Sequence, residues 1–195
     1  DYDIIITNNL GNCGGFGDTG PVGSAYAVSI WPQAAWYYKD GRYLWMYKKA
    51  GGTPGRFWID NVEPLEPADM LGVQVMELPR WVYEGKSERK IPYERTFDKM
   101  SFRNSFDENK QYLLLDGFSY GNHSHPDGNS VINFSDNGKT FLIDSGYMVP
   151  EMSEHNTICV FRDGRSESIP ELCDLRAKAD FPDMGFVQST IDEYN

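Results

Sequence analysis

The chain is poor in cysteine, and it lacks long hydrophobic runs. Its three cysteines, Cys13, Cys159 and Cys173, form no Cys-x-x-Cys pair, so a zinc site built from thiolates is not expected. No apolar run approaches the length of about 18 residues that a membrane-spanning helix requires. The sequence therefore predicts no membrane span.

Positive charge is also scarce. Lysine and arginine together number 18, against 29 for aspartate and glutamate, which gives a formal net charge of -11. Nucleic acids and anionic membranes attract clustered basic residues, so neither is expected as the main partner. Hydrophobic residues nevertheless make up 40% of the chain, which is typical of a folded protein with a packed core.

Two patterns divide the chain and predict an α+β fold that is mainly β. Apolar and aromatic residues recur at helical spacing between residues 23 and 50, and Asp40-Gly41 predicts a break into two helices. The glycine-rich residues 11–20 lack the Gly-Lys-Ser/Thr ending of a phosphate-binding loop. From Arg56 onward, short runs between turn residues predict the antiparallel strands of a sandwich or barrel. These predicted strands cover residues 73–78, 97–104, 112–118, 130–135, 140–144 and 156–161, with turns at 136–139 and 163–164.

All three histidines of the chain lie within the strand-rich region, as His123, His125 and His155, with Asp144 between them. Residues two apart on a strand point to the same side, so His123 and His125 are expected to face one cavity. Imidazole and carboxylate are both ligands that zinc accepts. Taken singly, each histidine fits an ordinary hydrogen-bonding role, and Asp144 fits a strand-ending turn. Together they favour a metal site.

Five stretches, in the same order along the chain, resemble the heparinase II/III-like family of polysaccharide lyases. Between residues 97 and 164 they are Phe102-Arg103-Asn104-Ser105, Tyr112-Leu113-Leu114-Leu115-Asp116-Gly117, Gly121-Asn122-His123-Ser124-His125-Pro126-Asp127-Gly128-Asn129-Ser130, Gly138-Lys139-Thr140-Phe141-Leu142-Ile143-Asp144-Ser145-Gly146 and His155-Asn156-Thr157. The resemblance implies that residues 1–55 are the C-terminal helices of an (α/α) toroid. It implies that residues 56–195 belong to a large antiparallel β-sandwich, and that the chain is a fragment of a longer protein.

The resemblance also implies an activity. Members of the family cleave glycans that contain uronic acids, such as glycosaminoglycans and alginate, by β-elimination. The implied partners are an acidic polysaccharide or oligosaccharide substrate, the remainder of the same polypeptide and a second copy in a homodimer. The implied location is periplasmic or secreted. Because a net charge of -11 should repel a polyanion, we expect either a basic cleft in the rest of the protein or a less charged substrate.

The roles of the histidines follow from the same resemblance. His123 corresponds to a catalytic histidine that assists from the sandwich side, while a tyrosine and an asparagine or histidine act from the toroid, upstream of Asp1. His125, Asp144 and His155 correspond to the ligands of a structural zinc ion. A metal bound two residues from His123 would fix the backbone that aims it.

Three further residues are candidates with two interpretations each. Tyr147 is expected either to act as an additional catalytic tyrosine or to pack in the sandwich. Arg103 is expected either to bind a substrate carboxylate or to form a salt bridge inside the sandwich. Asn122 is expected either to contact substrate beside the histidines or to be a loop asparagine.

Two other functions remain consistent with the sequence. One is a non-catalytic carbohydrate-binding or structural sandwich that keeps the metal for stability, which the short segment between Asp144 and His155 favours. The other is a metal-dependent hydrolase, in which zinc keeps one position open for water. Saturation of the metal by four protein ligands would favour the lyase or the non-catalytic sandwich over the hydrolase.

Overall fold

The computed structural model describes residues 1–15, 22–24, 30–53, 61–86, 89–119, 127–144, 152–166 and 170–191, with the backbone alone for 22–24, 162, 165 and 166. The helices in these ranges are α1 (Tyr2–Ile6), α2 (Ile30–Tyr38), α3 (Gly41–Lys49) and α4 (Arg80–Glu84), with 3-10 turns at Ala68–Met70, Tyr93–Arg95 and Met152–Glu154. None of the helices described is long and apolar enough to cross a bilayer.

The break between α2 and α3 lies where the sequence predicts it. Lys39 has a positive φ of 55°, and the Asp40 side chain caps α3 by accepting a backbone N–H of its first turn at 3.0 Å. The predicted helical start at Gly23 is wrong, because Val22–Ser24 is a strand, β2, paired with β1 (Asn12–Gly14). Glycine favours helix weakly, so the strand pairing with the glycine-rich segment prevails.

A five-stranded antiparallel sheet, in which each strand pairs with the next along the chain, forms the centre of the fold. Its strands are β3 (Gly72–Val75), β4 (Lys99–Arg103), β5 (Tyr112–Asp116), β6 (Val131–Asp136) and β7 (Lys139–Ile143). The hairpin between β6 and β7 turns at Asn137 and Gly138, whose φ angles of 49° and 69° fit a type I′ turn. The predicted α+β architecture with an antiparallel sheet is therefore confirmed.

Two further hairpins follow the central sheet. The strands are β8 (Phe161–Arg162), β9 (Arg165–Ser166), β10 (Asp174–Phe181) and β11 (Met184–Thr190). β8 pairs with β9 across the predicted turn at Asp163-Gly164, and β10 pairs with β11. Both residues of the shorter turn have positive φ, 51° and 76°, which Asp and Gly tolerate.

The strand predicted at residues 156–161 is wrong, since only Phe161 belongs to a strand there. Asn156 explains the difference. Its side-chain amide donates to the carbonyl oxygens of Val131 at 3.1 Å and Ile143 at 2.9 Å. These carbonyls lie at the ends of β6 and β7, so the amide takes a place that a strand's backbone would otherwise fill.

The central sheet is packed on both faces. Its first face shares a core with the N-terminal helical residues, formed by Ile4, Ile5, Ile6, Trp31, Met46, Met70, Phe106, Tyr112, Leu114 and Ile132. Its second face and the β10–β11 hairpin enclose a cluster of Phe97, Met100 and Cys173, with Val73, Val75, Phe102, Leu115, Leu175 and Val187 around it. The predicted domain boundary after residue 55 falls in residues 54–60, outside the described residues, and it stays a prediction.

Arg103 on β4 fastens α1 to the first face of the sheet. The residue is only 4% exposed, and its guanidinium donates to the carbonyl oxygens of Ile4 at 3.0 Å, Ile5 at 3.2 Å and Thr7 at 2.7 Å. These carbonyls belong to the C-terminal end of a short helix, where no intrahelical donor remains. The Tyr112 hydroxyl also donates to Ile5, at 2.8 Å.

This position corrects the sequence-based interpretation of Arg103 as a substrate ligand. Its charged end points into the protein. Its partners among the described residues are backbone carbonyls, the side-chain oxygen of Asn9 at 3.5 Å, and the rings of Phe106 and Tyr112, 4.5 and 4.4 Å from the guanidinium carbon. The alternative salt bridge is not found there either. Burial lowers the pKa of Arg103 to about 10, so the side chain remains a cation at neutral pH.

Arg103→Lys is expected to destabilise the protein by about 3 kcal/mol. Lysine lacks the planar guanidinium that lies over the rings of Phe106 and Tyr112, and its more strongly hydrated ammonium is costlier to bury. Urea unfolding measures the change. The matched control is Arg80→Lys on α4, where the side chain is 63% exposed and pairs with Glu84, and where a loss of about 0.5 kcal/mol is expected. Equal losses in the two variants would contradict the anchoring role.

Candidate metal and active site

Asp144 and His155, both predicted as metal ligands, lie against each other in the interior. Asp144 directly follows β7, and its backbone N–H donates to the carbonyl of Ile132 at 2.9 Å. His155 follows the 3-10 turn Met152–Glu154. The two residues are 1% and 5% exposed, and Nδ1 of His155 lies 3.0 Å from Oδ2 of Asp144.

Asn156 holds this pair in place. Its backbone N–H donates to the other carboxylate oxygen of Asp144, Oδ1, at 3.2 Å, while its side chain bridges the ends of β6 and β7 as described above. The carboxylate therefore has one oxygen oriented by backbone and one directed at the imidazole. Such outer contacts fix the geometry of a ligand set before a metal binds.

A third ligand-type group, Asp127, completes a cluster with this pair. One carboxylate oxygen of Asp127, one of Asp144 and one ring nitrogen of His155 all lie within 4.8 Å of one another, and all three residues are buried. The sequence pattern predicted no role for Asp127. The available signal was its spacing, because it stands two residues after His125, as His125 stands two residues after His123.

The surroundings of the cluster are strongly acidic. The pKa of Asp127 is raised to about 8, mainly by burial and then by the charges of Asp116 and Asp144, against the lowering effect of Lys99 and His155. A buried set of carboxylate oxygens and imidazole nitrogen is a donor set that fits zinc. The described residues therefore fit the metal that the sequence predicts here.

Lys99 on β4 neutralises the neighbouring part of this acidic region. It is 3% exposed, and its Nζ donates to Oδ1 of Asp98 at 2.7 Å and to Oδ1 of Asp116 at 3.1 Å. Asp116 in turn holds the loop that carries Asp127, since its backbone pairs with Ser130 and Asn129 at 3.0 and 2.9 Å. Burial raises the pKa of Asp116 to about 6, although Lys99 lowers it.

Lys99→Met is expected to destabilise the protein by about 3–5 kcal/mol at pH 8, because it leaves buried carboxylate without its cation. The loss should be smaller at pH 5. A carboxyl whose folded-state pKa is raised, as for Asp116, binds a proton more readily when folded, so its stabilising effect is lost as pH rises through that pKa. Urea unfolding at both pH values, with a chelator present, measures this.

The control for that experiment is Lys110→Met, since Lys110 is exposed at the surface. Its effect should be within about 0.5 kcal/mol at both pH values. A Lys99→Met loss that is independent of pH would contradict the assignment of Asp116 as the titrating group.

The remaining predicted site residues lie outside the described residues. They are Asn122, His123, His125 and Tyr147. The roles of His123 and Tyr147 in catalysis, of Asn122 in substrate binding and of His125 in metal binding therefore stay predictions.

The fold, but not the sequence, matches known proteins. No protein-family model matches the chain, and no curated protein matches it. Among solved structures, a heparinase III superposes with a TM-score of 0.66 over 96% of this chain, at 13% identity and over 26% of that chain. A heparan sulfate lyase from Pedobacter heparinus gives 0.62 over 98% of this chain, at 13% identity and over 27% of that chain.

Another heparinase III structure has a TM-score of 0.57 over 91% of this chain, at 13% identity and over 27% of that chain. The chain therefore has the fold of part of a heparinase III, and it spans about a quarter of the length of the structures it matches. This agreement confirms the fold that the sequence resemblance implied.

Proposed function

We propose that this chain is part of a polysaccharide lyase that cleaves uronic-acid-containing glycans by β-elimination. The observation that carries the proposal is the buried pair of Asp144 and His155. Both residues belong to the stretches that resemble the lyase family, and the chain has the fold of part of a heparinase III. Glycosaminoglycans and alginate are the proposed substrates, and a periplasmic or secreted location is proposed with them.

The chemistry sets out what the protein must supply. Elimination removes the weakly acidic proton at C5 of a uronate while the glycosidic bond at C4 breaks. This requires a group that neutralises the uronate carboxylate, a base near C5 and an acid at the leaving oxygen. In the proposal, His123 assists from the sandwich side, with Tyr147 and Asn122 near the substrate. The main tyrosine and the neutralising asparagine or histidine come from the toroid.

The metal has a structural role in this proposal. His125, Asp144 and His155 would hold zinc, and the zinc would supply a cross-link between the segment after β7 and the segment that carries His123. Asn156 supports the arrangement by holding Asp144 to the ends of β6 and β7. Arg103 is given no substrate contact, because its charged end is committed to backbone carbonyls.

Activity is tested on the longest natural polypeptide that contains this chain. Incubation with heparan sulfate, chondroitin sulfate and alginate should release unsaturated uronates, which absorb in the ultraviolet. His123→Ala should lower the rate by about 100-fold or more, as expected for a group in proton transfer, with little change in the melting temperature. Asp163→Asn, an exposed residue in the turn between β8 and β9, is the control.

No unsaturated product from any of these glycans, in a protein that binds its metal, would contradict the lyase proposal. That result would favour the non-catalytic sandwich. Reducing sugar released without ultraviolet absorbance would instead favour a hydrolase.

Metal content provides a separate test. Protein purified without a histidine tag should contain about one zinc per chain by mass spectrometry, and His155→Ala should lose it. The variant should also unfold at a lower temperature, because the metal stabilises only the folded form. Wild-type protein without metal would contradict the zinc site and reduce the histidine cluster to hydrogen-bonding residues.

A further inference from the structure

We propose that Asp127 is a ligand of the same metal ion, beside Asp144 and His155. The proposal rests on the metal site of the proposed function and extends it by one residue. The three ligand-type atoms lie within 4.8 Å of one another, close enough for small movements of the side chains to bring all three onto one small cation. Zinc–oxygen and zinc–nitrogen bonds are about 2.0–2.2 Å long.

The carboxylate of Asp127 differs in its hydrogen bonding from the other buried carboxylates around it. Asp116 accepts from Lys99 and from the Phe118 N–H, and Asp144 is bonded to His155 and the Asn156 N–H. Asp127 is 4% exposed, yet no hydrogen bond to its carboxylate comes from the described residues. A buried carboxylate that is directed at two ligand-type groups and lacks a donor is suited to bind a cation.

The backbone holds Asp127 in this position without help from its side chain. Its carbonyl accepts from Ser130 N–H at 3.0 Å, which closes a turn. The next residue, Gly128, donates its N–H to the Ser119 hydroxyl at 2.6 Å and accepts from the Thr157 hydroxyl at 3.2 Å. Thr157 is two residues after His155, so the loop that carries Asp127 is tied to the segment that carries the imidazole. Ligands held in this way are preorganised.

The number of ligands decides what the metal can do. Asp127, Asp144 and His155, together with the predicted ligand His125, would make four protein ligands. Zinc with four protein ligands is closed, as in structural sites, whereas hydrolytic zinc keeps a position for water. With His125 as the predicted fourth ligand, the metal would have a structural role, which argues against the hydrolase.

Cobalt substitution of the full chain tests the coordination directly. Wild-type protein is stripped with a chelator and loaded with Co²⁺, whose visible absorption is strong in four-coordinate sites and weak in six-coordinate ones. Asp127→Cys places a thiolate at the position in question, so a sulfur-to-cobalt charge-transfer band should appear in the near ultraviolet. Ser130→Cys is the matched control, because Ser130 is buried in the same loop, three residues after Asp127.

A second variant makes the test independent of whether the Asp127→Cys protein folds correctly. Asp127→Asn is close in shape, and it should weaken zinc binding by more than about 100-fold in a competition with a chromophoric chelator, beyond the roughly 10–100-fold expected from losing an outer contact. Circular dichroism without metal confirms that the variant is folded.

The outcomes separate this inference from the proposed function. A charge-transfer band in Asp127→Cys alone, with the large loss of affinity in Asp127→Asn, supports the ligand role. Zinc binding at wild-type affinity in Asp127→Asn, or a band no stronger than that of Ser130→Cys, overturns it and leaves the lyase proposal intact. Wild-type protein that binds neither metal overturns it as well, while ultraviolet product formation still tests the lyase.

Discussion

Two buried cations on one strand hold the described structure together. Arg103 and Lys99 both project from β4 toward the first face of the sheet, paired with Tyr112 and Asp116 of β5. Arg103 binds the carbonyls at the end of α1, and Lys99 binds Asp116, whose backbone holds the loop of Asp127. Because an unpaired buried charge is costly, each cation forces its partners into one arrangement. The N-terminal segment and the candidate site therefore depend on the same strand.

The parts of the fold that the sequence predicted are those that local chemistry determines. Asn137-Gly138 and Asp163-Gly164 take positive φ angles, which these residue types tolerate wherever they stand. The alternation of Tyr112, Leu114 and Asp116 marks a strand with one face inward. Such signals need no knowledge of the neighbours, and for that reason the antiparallel sheet and its turns could be predicted.

The errors arise where a distant partner decides. The sequence shows an arginine at position 103 but does not show whether it binds a substrate or the end of a helix about 100 residues earlier in the chain. Only the fold shows that the carbonyls at the end of α1 lie next to it. The strand predicted to begin at Asn156 does not form, because the Asn156 side chain donates to the carbonyls of Val131 and Ile143. The sequence predicted no role for Asp127 for the same reason. Its importance comes from Asp144 and His155, which are adjacent to it only in space.

The charges around the site are the physical reason for proposing a dication there. Asp116, Asp127 and Asp144 are all buried, and Lys99, the ammonium that reaches Asp116, is shared with Asp98. Among the described residues, the ammonium of Lys99 can balance only one of these three carboxylates when all are ionised, and a protein interior tolerates such an excess of negative charge by protonation or by binding a cation. Protonation neutralises one carboxylate at a time, and it does not hold the chain segments to one another. In the proposed site, a doubly charged ion would remove the excess and join the segments that carry Asp127, Asp144 and His155, and such a joint would help to fix the backbone near His123.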